Sequence, residues 1–161
     1  MTAIRLEING ATVADDVAPR TSLADYLREA RNLTGTHLGC EHGVCGTCTI
    51  LVDGDPVRSC LALAAACDGR RVRTIEGFAG EPAMAALRAA FHRRHSLQCG
   101  FCTPAMLITA WDLIRRGKAG SEAEIRCGLA GNICRCTGYT NIVAAIAEAA
   151  AGGTKGVPDA E

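Results

Sequence analysis

Eight of the ten cysteines in this 161-residue chain fall into two groups whose spacing could hold an inorganic centre. Cys40, Cys45 and Cys48 form a Cys-x4-Cys-x2-Cys run, and Cys60 follows shortly after it. Cys99 and Cys102 form a Cys-x2-Cys pair, and Cys134 and Cys136 a Cys-x-Cys pair. A thiolate is a soft anionic ligand suited to iron–sulfur clusters and zinc. The competing use of cysteine is the disulfide, which persists in oxidising compartments. The N-terminus, Met1 to Glu7, has no basic start followed by an apolar core, so a cytoplasmic chain with reduced thiols is expected.

The upstream run has the plant-type spacing for 2Fe–2S ligation, with Cys60 as the natural fourth ligand. Four thiolates and two sulfides around two ferric ions carry a formal charge of about −2, and about −3 after reduction. Such an anion needs donors. Gly39, Gly43 and Gly46 let backbone N–H groups turn toward sulfur with no Cβ in the way. A zinc knuckle favours Cys-x2-Cys pairs, so the x4 gap argues against zinc here. For Cys99, Cys102, Cys134 and Cys136, spacing alone leaves a four-thiolate zinc centre open. His42 lies inside the first loop, where four cysteines already suffice, and reads as a solvated residue. Cys67 and Cys127 fit neither pattern and read as small buried residues.

The elements that must position these thiols change character along the chain. Ile4, Leu6 and Ile8 alternate with Arg5 and Glu7, which predicts a half-buried strand over 3–8. Asn9-Gly10 predicts a hairpin turn into a second strand over 11–14. Thr21 or Ser22 caps a helix bearing Leu23, Tyr26, Leu27 and Ala30 on one face, with Gly35 beyond it. Residues 49–52 leave the thiol loop as a strand, Asp53-Gly54 turns it, and 71–75 supply a last short strand.

The stretch Gly77 to Pro82 marks the change to helix. The expected division is a 2Fe–2S domain over 1–76, a helical 2Fe–2S domain over 77–151 and a disordered tail over 152–161. Met84, Leu87 and Phe91 stripe the first helix of the second part. Its basic end, with Arg88, His92, Arg93, Arg94 and His95, suits a helix C-terminus; a docking patch for an acidic partner is the alternative. Thr103-Pro104 opens a helix that is apolar almost all round, so Cys102 sits just ahead of an N-terminus that favours thiolate. Ser121-x-x-Glu124 is a capping box, and the short helix it opens is expected to end at Gly131-Asn132. Ile142, Val143 and Ile146 stripe the last helix.

Lys plus Arg and Asp plus Glu both number 17, so the chain lacks the basic excess of a nucleic-acid or anionic-membrane binder. No apolar run is long enough to span a bilayer. No phosphate-binding glycine loop and no nucleophile–base pair is legible.

Three motifs together resemble the small iron–sulfur subunit of the molybdenum hydroxylases: the xanthine dehydrogenase, aldehyde oxidoreductase and carbon monoxide dehydrogenase family. They are Gly39-Cys40-Glu41-x-Gly43-x-Cys45-Gly46-x-Cys48, Gln98-Cys99-Gly100-Phe101-Cys102-Thr103-Pro104 and Gly131-Asn132-Ile133-Cys134-Arg135-Cys136-Thr137-Gly138-Tyr139, within a match over residues 3–150. The resemblance implies an α+β fold: an N-terminal ferredoxin-like β-grasp domain followed by an all-α four-helix domain, each holding one 2Fe–2S cluster. It implies Cys40, Cys45, Cys48 and Cys60 on the first cluster and Cys99, Cys102, Cys134 and Cys136 on the second. It implies that Gln98 and Cys136 face a molybdopterin on a large partner subunit, and that the first cluster faces an acceptor, usually a medium FAD-binding subunit. Cys67 and Cys127 are not ligands in that family.

The expected role is therefore electron transfer from molybdenum to an acceptor, in an oxidoreductase subunit with no substrate site of its own. Arg135, between two thiols, is a candidate for tuning the second potential. A free-standing two-cluster ferredoxin-like carrier is the alternative, although a free carrier usually shows an acidic face and this chain is neutral. A zinc-stabilised interaction module is the non-redox alternative.

Overall fold

A computed structural model describes residues 1–152. Apart from Gly152, which caps the last helix, the tail expected at 152–161 lies outside the described residues.

Strand β1 (Thr2–Ile8) buries Ile4, Leu6 and Ile8 and turns its alternate residues outward. Asn9 and Gly10 take φ of 51° and 85°, the left-handed pair a two-residue hairpin needs. Strand β2 (Ala11–Val17) runs three residues beyond the expected 11–14, because all seven residues of β1 find partners, up to Thr2 opposite Val17. Strands β3 (Thr49–Val52), β4 (Asp55–Arg58) and β5 (Arg71–Arg73) complete a five-stranded sheet in the order β2-β1-β5-β3-β4. β1 and β5 are parallel; the other pairs are antiparallel. β5 stops at Arg73, short of the expected 75. The Asn9 side chain binds both the N–H and the hydroxyl of Thr74 at 2.9 Å, and a 3-10 turn over Ile75–Phe78 follows.

Ser22 is the cap of the first helix: its hydroxyl accepts the Asp25 N–H at 3.0 Å. Helix α1 (Leu23–Asp25) widens at once into a π-helical turn over Tyr26–Ala30. Leu23, Tyr26 and Leu27 close one face of the sheet together with Ile4, Leu6, Ile8, Ile50 and Val72.

Helices α2 (Pro82–Arg93), α3 (Thr103–Arg115), α4 (Glu122–Gly128) and α5 (Thr140–Ala151) follow. α2 buries the expected stripe Met84, Leu87 and Phe91. Arg93 and Arg94 at its end both bind Glu148 of α5, so these two cations of the basic cluster join helix to helix. α3 is buried continuously from Ala105 to Leu113 because it packs on β3 and on α2, α4 and α5. Its cap is Cys102, one residue before the expected Thr103, and Pro104 lies within its first turn. α4 opens as the capping box predicts, with the Ser121 hydroxyl accepting the Glu124 N–H at 3.2 Å. It ends at Gly128, earlier than expected, because Asn132 N–H turns back to the Leu129 carbonyl at 2.8 Å.

Cys67 is buried beneath the sheet, as its context suggested. Cys127 is exposed, contrary to expectation. Ile125 and Leu129 face the core from α4, and two residues on from Ile125 a helical side chain points away from it. The helical cluster reaches the sheet at Leu51 of β3, and within it Phe78 meets Trp111 edge-on, centroids 5.1 Å apart.

Candidate metal centres

The loop from Gly39 to Cys48 follows the turns after the π-helical segment and enters β3. Glu41, Gly43 and Gly46 all have positive φ, and these reversals wrap the backbone around the thiols. Cys45 N–H donates to Cys40 Sγ at 3.4 Å. The amides of Cys45 and His42, with the Cys45 thiol, bring the Cys40 thiol down to about 6. Cys60 arrives from β4, where Ser59 donates its hydroxyl to the Cys48 carbonyl at 2.7 Å and its N–H to the same oxygen at 3.3 Å. Burial, and then the neighbouring Cys48 thiol, push Cys60 up to about 11. The first set thus approaches as two pairs, Cys40 with Cys45 and Cys48 with Cys60. His42 is exposed, as expected, with its ring Nδ1 on the Cys40 carbonyl.

The second set is assembled from two connections, α2 to α3 and α4 to α5. Cys99 Sγ and Cys136 Sγ are 3.5 Å apart. Cys102 pairs with Cys134; burial and then the Cys134 thiol push Cys102 up to about 12. Burial pushes Cys134 upward as well, but the Thr137 hydroxyl and the Thr137 and Cys136 amides outweigh it, and this thiol is lowered. The Thr137 hydroxyl lies 3.1 Å from Cys134 Sγ. Tyr139, at φ 68°, folds back so that its hydroxyl accepts the Cys134 N–H at 2.7 Å and donates to the Asn132 carbonyl at 3.2 Å.

The two sets share a wall. A cavity of about 190 Å³ is lined by Cys45 on one side and by Cys99, Cys102, Cys134 and Cys136 on the other. Ile133 N–H donates to the Cys45 carbonyl at 2.8 Å. His37 stacks on Phe101 at 4.8 Å and donates from Nδ1 to the Phe101 carbonyl at 2.7 Å, which ties the approach to the first loop to the middle of the Cys99–Cys102 turn. Gln98, Cys99, Arg135 and Cys136 are all exposed, beside the exposed apolar side chains of Leu97, Phe101 and Ile133.

The donor chemistry suits two binuclear iron–sulfur groups. Each set offers four thiols in two pairs, one pair for each iron, with amide or hydroxyl donors aimed at sulfur. All eight motif cysteines and Gln98 lie at these two places. Cys67 and Cys127 lie at neither.

Asn132, Thr137, Tyr139, Arg58 and His37 have supporting roles that the sequence does not reveal. Three of them stand inside the last motif, but no spacing rule shows that Tyr139 reaches back to Cys134. No local signal links Arg58 or His37 to a segment so far along the chain.

Two family models cover nearly all the chain: a 2Fe–2S iron–sulfur cluster binding domain matches residues 6–74, and a second [2Fe–2S] binding domain matches 74–147. The caffeine dehydrogenase subunit gamma of Pseudomonas sp. (strain CBB1) is 51% identical, over 89% of this chain and 87% of its own length. The chain belongs to the small iron–sulfur subunits of the molybdenum hydroxylase family. The nicotine 6-hydroxylase small subunit of Paenarthrobacter nicotinovorans is 50% identical, over 91% of this chain and 88% of its own. A chain in the crystal structure of quinoline 2-oxidoreductase from Pseudomonas putida 86 superposes with a TM-score of 0.85 at 48% identity, covering 94% of this chain and 97% of that one. This family member is thus an iron–sulfur subunit of an oxidoreductase complex with a ferredoxin-like sheet followed by helices. Among the described residues, no helix is long and apolar enough to cross a membrane.

Proposed function

We propose that this chain carries electrons, one at a time, from a molybdopterin site on a large partner subunit to an FAD subunit or another acceptor. Cys40, Cys45, Cys48 and Cys60 hold one 2Fe–2S cluster in a β-grasp domain over 1–76. Cys99, Cys102, Cys134 and Cys136 hold the other in a four-helix domain over 77–151. Each cluster, when bound, supplies a one-electron centre, so a two-electron oxidation at molybdenum drains in single steps.

The observation that carries this reading is the pairing of thiols at two adjoining places, the first set buried or half-buried and the second reaching the surface at Cys99 and Cys136. The chain's own residues hold the thiols in register and aim N–H and O–H donors at sulfur. The exposed rim of Leu97, Phe101 and Ile133 around Cys99 and Cys136 suits burial against a partner, with Gln98 and Cys136 toward the pterin. The substrate site lies on the partner, in a cytoplasmic complex. The names of the relatives, caffeine, nicotine and quinoline enzymes, favour an aromatic N-heterocycle as substrate.

The test is the metal content of the chain, tagged in its own host and purified without oxygen. About four irons per chain with about one molybdenum in the co-purifying complex is the expected result. About four irons in a chain that never co-purifies with molybdenum would support a free carrier instead. Zinc in place of iron would overturn both.

A further inference from the structure

Asn132 is almost fully buried, yet it belongs to an exposed turn between α4 and Cys134. Its side-chain N–H donates to the Gly46 carbonyl at 3.1 Å and reaches Thr49 Oγ1 at 3.4 Å. Its side-chain oxygen accepts from the Thr109 hydroxyl of α3 at 3.1 Å. Its main-chain oxygen accepts from Tyr139, whose hydroxyl also holds the Cys134 N–H. One residue therefore joins the first thiol loop and the helix behind Cys102, through its side chain, to the second thiol loop, through its main chain. Arg58 reinforces it from β4, donating to the Gly131 carbonyl at 2.6 Å and to Thr49 Oγ1. The approach is so close that a Cβ on Gly46 would lie 2.1 Å from the Gly131 carbonyl oxygen.

We infer that Asn132, seconded by Arg58, is a positioning residue that sets the separation of the two metal centres and thereby the rate at which an electron passes between them. Neither residue ligates a thiol's metal. Gly46 lies between Cys45 and Cys48, and Asn132 lies two residues before Cys134, so their direct bond fixes loop against loop with little slack. A buried amide with both ends satisfied is rigid, and electron tunnelling between two centres slows steeply as their separation grows. The inference rests on the two-cluster reading above, and its test keeps the two apart.

The full chain, with whatever co-purifies, is reduced chemically, and the magnetic interaction between the two reduced clusters is read by low-temperature electron paramagnetic resonance. Iron is measured on the same samples. Asn132→Asp keeps the shape and the acceptor for Thr109 but removes the donor to Gly46. It is expected to retain about four irons and to show a changed splitting. Arg58→Met, which leaves the Asn132–Gly46 bond in place, is expected to show a smaller change, and Arg58→Lys, which keeps a donor, the native splitting. Native splitting in both Asn132→Asp and Arg58→Met overturns the inference. If Asn132→Asp loses iron, Arg58→Met decides alone, with native splitting again overturning it. Absence of iron from the unsubstituted chain defeats the two-cluster reading itself.

Discussion

The two thiol sets reach similar pairings by different means. The first is built almost wholly by one ten-residue loop, with three backbone reversals turning its amides inward and Cys60 delivered by the adjoining strand. The second has no loop of its own. Cys99 and Cys102 come from the α2–α3 link, Cys134 and Cys136 from the α4–α5 link, and the set exists only when the helices pack. The contrast extends to exposure: Cys48 is buried and its companions are half-covered, whereas Cys99 and Cys136 stand at the surface. A centre made by a local loop can sit behind its own backbone; one made by the ends of two helix pairs is left open on the side where the helices stop. That open side is where a partner can approach.

The sharpest way to break the comparison is to remove one thiol from the open set. Cys136→Ser is expected to halve the iron, from about four to about two per chain, while the first cluster keeps its spectrum. Turnover from substrate to acceptor collapses while the molybdenum site still accepts electrons from substrate. Normal turnover in this variant would rule out the second set as part of the route.

A pair of glycine substitutions measures how tightly each set is held. Gly46 and Gly100 both have positive φ, 72° and 81°, so an alanine at either costs about 1–2 kcal/mol of backbone strain. Nothing lies within 4 Å of a Cβ at Gly100, whereas one at Gly46 meets the Gly131 carbonyl and the Arg58 guanidinium. Gly46→Ala is expected to lose a further ~1–3 kcal/mol from overpacking, read as a lower denaturation midpoint than Gly100→Ala. Equal losses would show that the junction between the two sets is slack.

Arg135→Ala should lower the reduction potential of the second cluster only. A cation beside the thiols favours the more negative, reduced state, and its side chain is exposed, so water and salt screen the effect. A redox titration in which neither cluster moves would remove Arg135 from this role.

The smallest expected effect lies between α2 and α5. Arg93 and then Arg94 hold the Glu148 carboxyl below its ordinary 4.5. A depressed carboxylate stabilises the fold above its unfolded value and ceases to do so as pH falls through its folded one. Glu148→Gln should therefore lower the thermal midpoint at neutral pH and flatten its dependence on pH below 4.5. An unchanged pH dependence would mean that the ion pairs add nothing to helix packing.

Much of the site is legible in short-range patterns of the sequence. Eight thiols, their division into two groups, the glycines of the first loop and the caps Ser22 and Ser121 are all written within a few residues of one another. Elements are legible for the same reason: alternation in β1 and the stripe of α2 are periodic signals. Boundaries are less so. β2 runs on because β1 offers partners, and α4 stops early because Asn132 turns back. Cys127 is exposed because the helix phase, set by Ile125 and Leu129, matters more than its alanine-rich surroundings.

By itself the sequence determined which residues could bind metal, which family the chain resembles and where sheet gives way to helix. Those depend on residue type and on spacing along a single segment. Only the tertiary structure decided which thiols pair, that Tyr139 and Thr137 serve Cys134, and that Asn132 and Arg58 join the two loops. Contacts between segments 70 to 90 residues apart carry no local sequence signature, since they arise from the packing of helices on a sheet edge that neither segment encodes alone.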